Sequence, residues 1–324
     1  MTANNSEKFN PRFIFIFLDG VGIGKTTANN PFIAAKSAYL PFSDSWCTLP
    51  DKTPVKPIDA CLGVKGIPMS ATGQTSLFTG VNIPRILNRH KDSFPDNLMR
   101  RIIKRNNILL LLKQNKFKVR FMNAYPDCSD KFTPQYVRIQ DSGQIFFSEK
   151  FPRNMRPTIS VTSCMMLTTH MTPFGKEDII KERSIYHDFS NRSLNERGDG
   201  LPEFSPEKAA EILYNTSGRY DFTLYEFFLT DLYGHGYSFE DSVLLIRELN
   251  SFVKHLLSLL HKDRDTLLIT SDHGNLEDYD TRLHTVNPVP LITWGYKSDE
   301  LRERINSLID VTPAILEFLK KKFF

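Results

Sequence analysis

The chain has few cysteines and no long apolar run, and each absence excludes a class of protein. Four cysteines occur in 324 residues, and no two of them form a C-x-x-C pair. This spacing argues against a thiolate zinc site or a disulfide framework. No apolar stretch approaches the ~20 residues of a membrane span, and the polar start MTANNSEKFNPR lacks a signal-peptide core. We therefore expect a cytoplasmic protein without membrane contact, whose thiols stay reduced at Cys47, Cys61, Cys128 and Cys164.

A nucleotide-binding loop is also missing, although FIFIFLDGVGIGKTT at 13–27 starts like one. A P-loop needs glycine five positions before Gly24, and the chain has Asp19 there. A carboxylate at this place would repel phosphate, and the G-x-G-x-x-G dinucleotide pattern fails as well. What remains is an aspartate at the end of a buried strand, which is either a metal ligand or a polar strand terminus.

Charge is modest overall but unevenly distributed. The formal net charge is +4, and eleven of the lysines and arginines lie between Pro84 and Arg120, opposed there by Asp92 and Asp96. Such a run is typical of a solvated helix face. It could also concentrate an anionic substrate or, in a protein of another class, bind nucleic acid. With a charge this small, nucleic acid is not expected as a partner.

The apolar pattern predicts an α/β fold with a mainly parallel sheet and helices on both faces. Predicted strands lie at 13–18, 117–123, 222–229, 266–270 and 289–294, and predicted helices at 98–114, 205–214, 241–260 and 312–318. Between 128 and 202 the short runs YVRIQ, QIFFSE and TISVTS indicate strands of a small inserted α+β cap. The predicted catalytic core is therefore 1–127 with 203–324.

Acids and imidazoles stand at the ends of these strands. Each histidine alone is most simply a hydrogen-bonded structural residue. Six such residues at one sheet edge instead predict two metal ions about 4 Å apart, an arrangement suited to phosphoryl transfer. Histidine with carboxylate favours zinc, manganese or iron over magnesium. The six are Asp19, Asp231, His235, Asp272, His273 and His284.

A nucleophile for such a site is available in IPMSATGQTSLFTG. Ser70 precedes a predicted helix, where backbone N–H groups favour an anion, and a bound metal could activate its hydroxyl. The alternative is that Ser70 serves only as a helix N-cap.

These segments together resemble the alkaline phosphatase superfamily, nearest to cofactor-independent phosphoglycerate mutase and phosphopentomutase. The resemblance rests on DGVGIG at 19–24, SATGQTSLFTG at 70–80, DLYGHG at 231–236, SDHGNLE at 271–277 and HTVNPVP at 284–290. It implies that Asp19, Asp272 and His273 hold the ion that also contacts Ser70. The other ion would be held by Asp231, His235 and His284. Ser70 would be the nucleophile, with Thr72 as the fallback.

Two departures limit the resemblance. The family's usual histidine after Gly73 is Gln74 here, and about 75 residues fill the place of a much larger second domain. Candidates for substrate contact in this segment are Arg153, Arg156 and Arg183. We expect a phosphomonoester substrate and either phosphatase or phosphomutase activity, with phosphate release exceeding isomerisation because the cap is small. A phosphodiesterase is the alternative within the superfamily. A sulfatase is not expected, because the proline and arginine that follow the modified residue in sulfatases are absent.

Overall fold

The computed structural model describes residues 12–323, and its centre is a six-stranded sheet. In the order β2-β8-β7-β1-β6-β3, the four strands from β7 to β3 run parallel, whereas β8 is antiparallel to both β7 and β2. The predicted mainly parallel sheet is therefore confirmed. The strands are β1 (Phe13–Leu18), β2 (Val55–Ile58), β3 (Val119–Phe121), β4 (Val137–Ile139), β5 (Ile145–Phe147), β6 (Phe222–Phe227), β7 (Thr266–Thr270) and β8 (Val289–Gly295).

Helices precede and follow most of these strands. They are α1 (Pro31–Ala34), α2 (Ser70–Thr79), α3 (Ile83–Leu87), α4 (Asn97–Arg105), α5 (Ile108–Gln114), α6 (Val161–Thr169), α7 (Lys176–Ile180), α8 (Arg192–Asn195), α9 (Pro206–Ser217), α10 (Leu229–Gly236), α11 (Phe239–Leu259), α12 (Ser298–Glu303) and α13 (Leu308–Phe323). Two 3₁₀ turns lie at Ser129–Lys131 and Arg153–Thr158.

The first strand shows how the sheet is covered on both faces. Phe13, Phe15 and Phe17 enter one apolar cluster with residues of α2, α5, α6 and α13. The alternating residues Ile14, Ile16 and Leu18 enter another cluster with residues of α9 and α11. Successive side chains of a strand point to opposite faces, so a strand that is apolar throughout is expected only where both faces are covered.

Three predicted elements differ from the observed ones. The single helix predicted at 98–114 is two helices, because Asn107 accepts a hydrogen bond from the Leu110 amide and starts α5 separately. The run TISVTS, predicted as a strand, instead ends in α6, whose first turn is capped by Ser160 accepting from the Ser163 amide. The strand predicted at 222–229 ends at Phe227, and α10 follows at once.

The segment 128–202 carries the separate antiparallel pair β4–β5. Its helix α6 nevertheless contributes Val161, Cys164 and Met165 to the apolar cluster under β1. The boundaries of the cap stay a prediction, since this segment is packed continuously with the sheet.

The four cysteines are free, and Cys128 and Cys164 are buried. Within residues 12–323, no helix has both the length and the apolar character needed to cross a membrane.

Candidate metal centre

The predicted ligands converge at the carboxyl edge of the parallel strands. Asp19 follows β1 directly, and Asp272 with His273 follows β7. Asp231 and His235 lie one turn apart on α10, so a helix rather than a glycine turn brings them to one face. His284 precedes β8. It reaches the same edge only because β8 is antiparallel, with Leu291 paired to Thr270 at the end of β7.

One group of ligands consists of Asp231, His235 and His284. The Oδ1 atom of Asp231 lies 3.4 Å from Nε2 of His235 and 3.4 Å from Nε2 of His284. The two imidazole Nε2 atoms are 3.0 Å apart. This is the set that the resemblance implied for one ion.

The second group consists of Asp19, Asp231 and His273. His273 Nε2 lies 3.4 Å from Oδ1 of Asp19 and 3.5 Å from Oδ2 of Asp272. Asp272 therefore borders this group, while Asp231 belongs to both. The two groups thus share the Asp231 carboxylate, and the division of the ligands between two ions stays a prediction.

Burial makes these acids costly unless a cation accompanies them. Asp272 and His273 are fully buried, and Oδ1 of Asp19 and Oδ2 of Asp272 have no hydrogen-bond partner among the described residues. Burial, with Asp272 nearby, raises the pKa of Asp19. Although burial opposes it, Asp272 and Asp19 raise the pKa of His273 to about 10. The site therefore favours a positive charge, and a bound metal ion would supply it.

The three imidazoles are oriented as metal ligands are. His235 Nδ1 lies 2.7 Å from the Arg282 carbonyl, and His284 Nδ1 lies 3.1 Å from the Pro68 carbonyl. His273 Nδ1 lies 3.3 Å from the Gly274 carbonyl. A carbonyl at Nδ1 fixes the tautomer and leaves Nε2 for an ion. In all three residues Nε2 faces the carboxylates, so the donor set fits divalent metal.

Ser70 lies at this site and Thr72 does not. The Ser70 hydroxyl oxygen is 2.9 Å from His273 Nε2. Ser70 is the first residue of α2, and Met69 occupies the N-cap position, so Ser70 is not the cap. The Thr72 hydroxyl donates instead to the Met69 carbonyl at 3.1 Å. Gln74, which replaces the family's histidine, donates to Asp19 Oδ2 at 3.0 Å.

Glu277 connects the ligand-bearing loops, and sequence reasoning missed its role. This buried carboxylate accepts from the Gly22 amide at 2.7 Å, the Asn275 amide at 2.8 Å and the Thr285 hydroxyl at 2.5 Å. A Cβ at Gly22 would lie 2.3 Å from Glu277 Oε1, so a larger residue there would displace this carboxylate. The Gly22 amide, which lies in the stretch that resembles a P-loop, thus binds a carboxylate side chain and not a phosphate.

Two further residues beside the ligands were missed. The Asn275 side chain donates to Asp231 Oδ1 at 2.9 Å and orients the carboxylate that both groups share. Gly20 has φ of 68°, and a Cβ there would lie 2.6 Å from Asp231 Oδ1. Both residues occur within the motifs DGVGIG and SDHGNLE, but their contacts depend on which loops meet.

A cavity of about 700 Å³ opens beside the ligands and is lined in part by Asp19, Ser70 and Gln74. The three candidate arginines are not in its lining. Arg183 pairs with Asp178, and Arg156 donates to the Ser148 carbonyl. Among the described residues, the arginine that lines the cavity is Arg197, which sequence reasoning did not select.

The basic stretch at 84–120 is partly engaged within the fold. Lys91 pairs with Asp96, Lys104 pairs with Asp141, and Arg120 stacks on Phe174. These contacts are typical of the packed and solvated faces of helices and strands.

Comparison with known proteins agrees with this geometry. A family model described as Metalloenzyme superfamily matches residues 201–322. The 2,3-bisphosphoglycerate-independent phosphoglycerate mutase of Ehrlichia canis is 30% identical over 164 residues, covering 46% of this chain and 32% of that protein. The corresponding mutase 1 of Methanosarcina barkeri is 33% identical over 132 residues, covering 38% of this chain and 25% of that protein.

The fold has a counterpart among solved structures. The alkaline phosphatase of the Antarctic bacterium TAB5 superposes with a TM-score of 0.51 at 14% identity, covering 96% of this chain and 99% of that one. At this identity the likeness concerns the fold alone. The matches to the curated mutases, by contrast, span about a third or less of the length of those proteins. Taken with the ligand-bearing loops, these matches make the chain similar to metalloenzymes of the alkaline phosphatase superfamily, and to cofactor-independent phosphoglycerate mutases in particular.

Proposed function

We propose that this metalloenzyme transfers the phosphoryl group of a phosphomonoester first to Ser70 and then to water. The observation that carries the proposal is the position of the Ser70 hydroxyl. It lies 2.9 Å from His273 Nε2, beside two buried carboxylates, and faces the 700 Å³ cavity. A hydroxyl in this position has both an acidic neighbourhood suited to metal and access for a substrate.

The residues would hold two divalent ions, of which manganese and zinc suit mixed histidine and carboxylate ligands best. When bound, such ions would lower the pKa of the serine hydroxyl and neutralise charge on the phosphoryl oxygens. The residues assigned to this role are Asp19, Ser70, Asp231, His235, Asp272, His273 and His284.

The chain itself supplies the acceptor and its placement. The bond from Ser70 Oγ to phosphorus forms as the ester P–O bond breaks. The serine proton is lost, and the departing alcohol takes up one proton. Water then cleaves the phosphoserine, which regenerates the hydroxyl and releases phosphate. Gln74 holds Asp19, and Glu277 ties together the loops after β1 and β7, so the reacting groups are fixed before substrate binds.

Hydrolysis is favoured over isomerisation. A mutase must retain its dephosphorylated intermediate while that intermediate reorients, which requires groups that grip the substrate and exclude water. The arginine in the cavity lining, Arg197, is already paired with Asp127 at 3.1 Å. Release of inorganic phosphate should therefore exceed any interconversion of 3- and 2-phosphoglycerate.

Trapping of the covalent intermediate tests the proposal. The protein is loaded with manganese or zinc, mixed with ³²P-labelled phosphomonoester and quenched in acid, in which a serine phosphoester survives. We expect label on the peptide that contains Ser70 and none in Ser70→Ala, whose turnover should fall roughly 10³-fold or more. Label on Thr72 would show that the nucleophile is Thr72, two residues after Ser70. Full turnover by Ser70→Ala would contradict the phosphoenzyme.

A further inference from the structure

We propose that the cavity beside Ser70 selects phosphomonoesters whose alcohol portion is uncharged and carries an aromatic or apolar group, and excludes esters with a second anionic group. The inference rests on the proposed phosphoryl transfer, because it concerns the space that the rest of the ester would fill. The curated relatives are named for phosphoglycerate, which carries a carboxylate besides its phosphate. The cavity of this chain instead suits an uncharged, apolar group.

One wall of the cavity is aromatic. The rings of His187 and Phe228 are stacked, with centroids 4.2 Å apart and planes 9° apart. Burial lowers the pKa of His187 to about 4, so this imidazole is neutral near pH 7. Phe132, Met155 and Ile159 extend the apolar surface. A flat apolar group of the substrate would be removed from water here, which favours its binding.

Among the described residues that line the cavity, no arginine or lysine is free to pair with a second anion. Arg197 is the one arginine or lysine among the described residues of the lining, and it pairs with Asp127 at 3.1 Å and with Asp199 at 3.2 Å. The lining also contains two other acids outside the ligand groups, Asp92 and Glu226. A carboxylate brought into this space would lose its hydration without gaining a partner.

The remaining polar groups of the wall are mostly uncharged. The Tyr125 hydroxyl lies 2.8 Å from the Ser163 hydroxyl, and Glu226, which also lines the cavity, accepts at Oε2 from the buried Thr162 hydroxyl at 2.7 Å. Burial raises the pKa of Glu226 to about 8, so this carboxyl is largely protonated at neutral pH. Such groups can orient a neutral hydroxyl or amide of the alcohol portion, but they cannot compensate a negative charge.

A matched pair of esters tests this selectivity. Benzyl phosphate and 4-carboxybenzyl phosphate both release a benzyl alcohol, so they differ chiefly by one carboxylate. With metal-loaded enzyme we expect kcat/KM for benzyl phosphate to exceed that for the carboxylated ester about 100-fold, and that for 3-phosphoglycerate by at least as much. Equal use of the two benzyl esters, or preference for 3-phosphoglycerate, would overturn the inference.

Two substitutions assign the selectivity to the cavity. Phe228→Ala should lower kcat/KM for benzyl phosphate about 10-fold more than for methyl phosphate, because only the former reaches the aromatic wall. Asn154→Arg places a guanidinium at an exposed position of the lining. It should lower the ratio of kcat/KM for benzyl phosphate to that for 4-carboxybenzyl phosphate about 10-fold. An unchanged preference in both folded variants would show that the selectivity arises elsewhere.

Binding without turnover separates this inference from the proposed function. Benzylphosphonate and 4-carboxybenzylphosphonate cannot be hydrolysed, and their Kd values are measured by calorimetry on the same metal-loaded protein. Tighter binding of the uncharged phosphonate, about 100-fold, supports the inference even if no ester is turned over, in which case the proposed function alone fails. Equal Kd values contradict the inference whatever the enzyme does with esters.

Discussion

Replacing Asp272 by asparagine should change the stability of this protein in opposite directions with and without metal. Asp272 is fully buried, and its Oδ1 atom accepts from the Gly20 amide at 3.3 Å. Its Oδ2 atom has no hydrogen-bond partner in the described part of the chain and lies 3.5 Å from His273 Nε2. Asparagine keeps the size and the Gly20 contact, so Asp272→Asn removes mainly the charge.

The expected loss in the metal-loaded protein follows from linkage. An ion present at about 100 times its Kd stabilises the folded state by about 2.7 kcal/mol. If the substitution weakens binding of that ion about 100-fold, about 0.4 kcal/mol of this stabilisation remains. The metal-loaded variant therefore loses about 2 kcal/mol of stability. For a chain of this size the corresponding fall in Tm is about 2–4 °C.

In chelator, the change that Asp272→Asn causes in the free energy of unfolding should have the opposite sign. Burial raises the pKa of Asp272, so above the pKa of the unfolded chain, near 4, the ionised carboxylate costs folding free energy. Removing the charge should then raise the free energy of unfolding by about 1 kcal/mol. Thermal unfolding of wild type and variant is compared at pH 7.5 in EDTA and in saturating manganese, with Ser70→Ala as the matched control that keeps every carboxylate. Equal destabilisation in both buffers would show that Asp272 is a structural group and refute the metal assignment.

Three further predictions concern the rest of the site. His284→Ala should abolish turnover and lower the amount of bound metal, which is measured by plasma emission spectrometry. Full metal content in this variant would show that His284 is not a ligand. Asp231→Asn should lower the metal content more than His284→Ala does, because Asp231 belongs to both ligand groups; an equal loss would mean that it serves one ion. Glu226→Gln should flatten the pH dependence of stability in chelator. The raised pKa of about 8 means that the folded state holds a proton which the unfolded state releases, so wild-type stability falls between about pH 4.5 and 8. Parallel wild-type and variant curves would contradict that assignment.

Much of the ligand set could be predicted because it depends on strand termini. A six-residue apolar run such as Phe13–Leu18 indicates a buried strand, and the residue after it then lies at the carboxyl edge of the sheet. The same reasoning applies to Asp272 and His273 after β7. For His284, which precedes its strand, the predicted position at this edge does not follow from a parallel sheet. A residue before a parallel strand would lie at the opposite edge, and only the antiparallel course of β8 brings it to the site.

Where prediction failed, tertiary contacts outweighed local preference. The β-branched residues of TISVTS favour a strand, but Ser160 caps a helix there, and the side chains of that helix fill the core beneath β1. Strand β2 was not predicted because it is short and contains Pro57. Its position at the edge of the sheet tolerates a proline, which cannot donate to a neighbour.

The metal groups and the substrate cavity differ in what determines them. The ligands lie at the ends of strands or one helical turn apart. Their positions in the sequence therefore indicate that they come together in the fold. The cavity wall instead combines Tyr125, Ile159, His187 and Phe228 from four separate segments, and their proximity depends on how the region 128–202 packs on the sheet. Phosphoryl chemistry can therefore be inferred from short motifs, whereas the alcohol that leaves must be inferred from the wall. A chain that resembles phosphoglycerate mutases in its ligand motifs can for this reason have a different substrate. Among the described residues that line the cavity no arginine is unpaired, and this is the physical basis for expecting a different substrate.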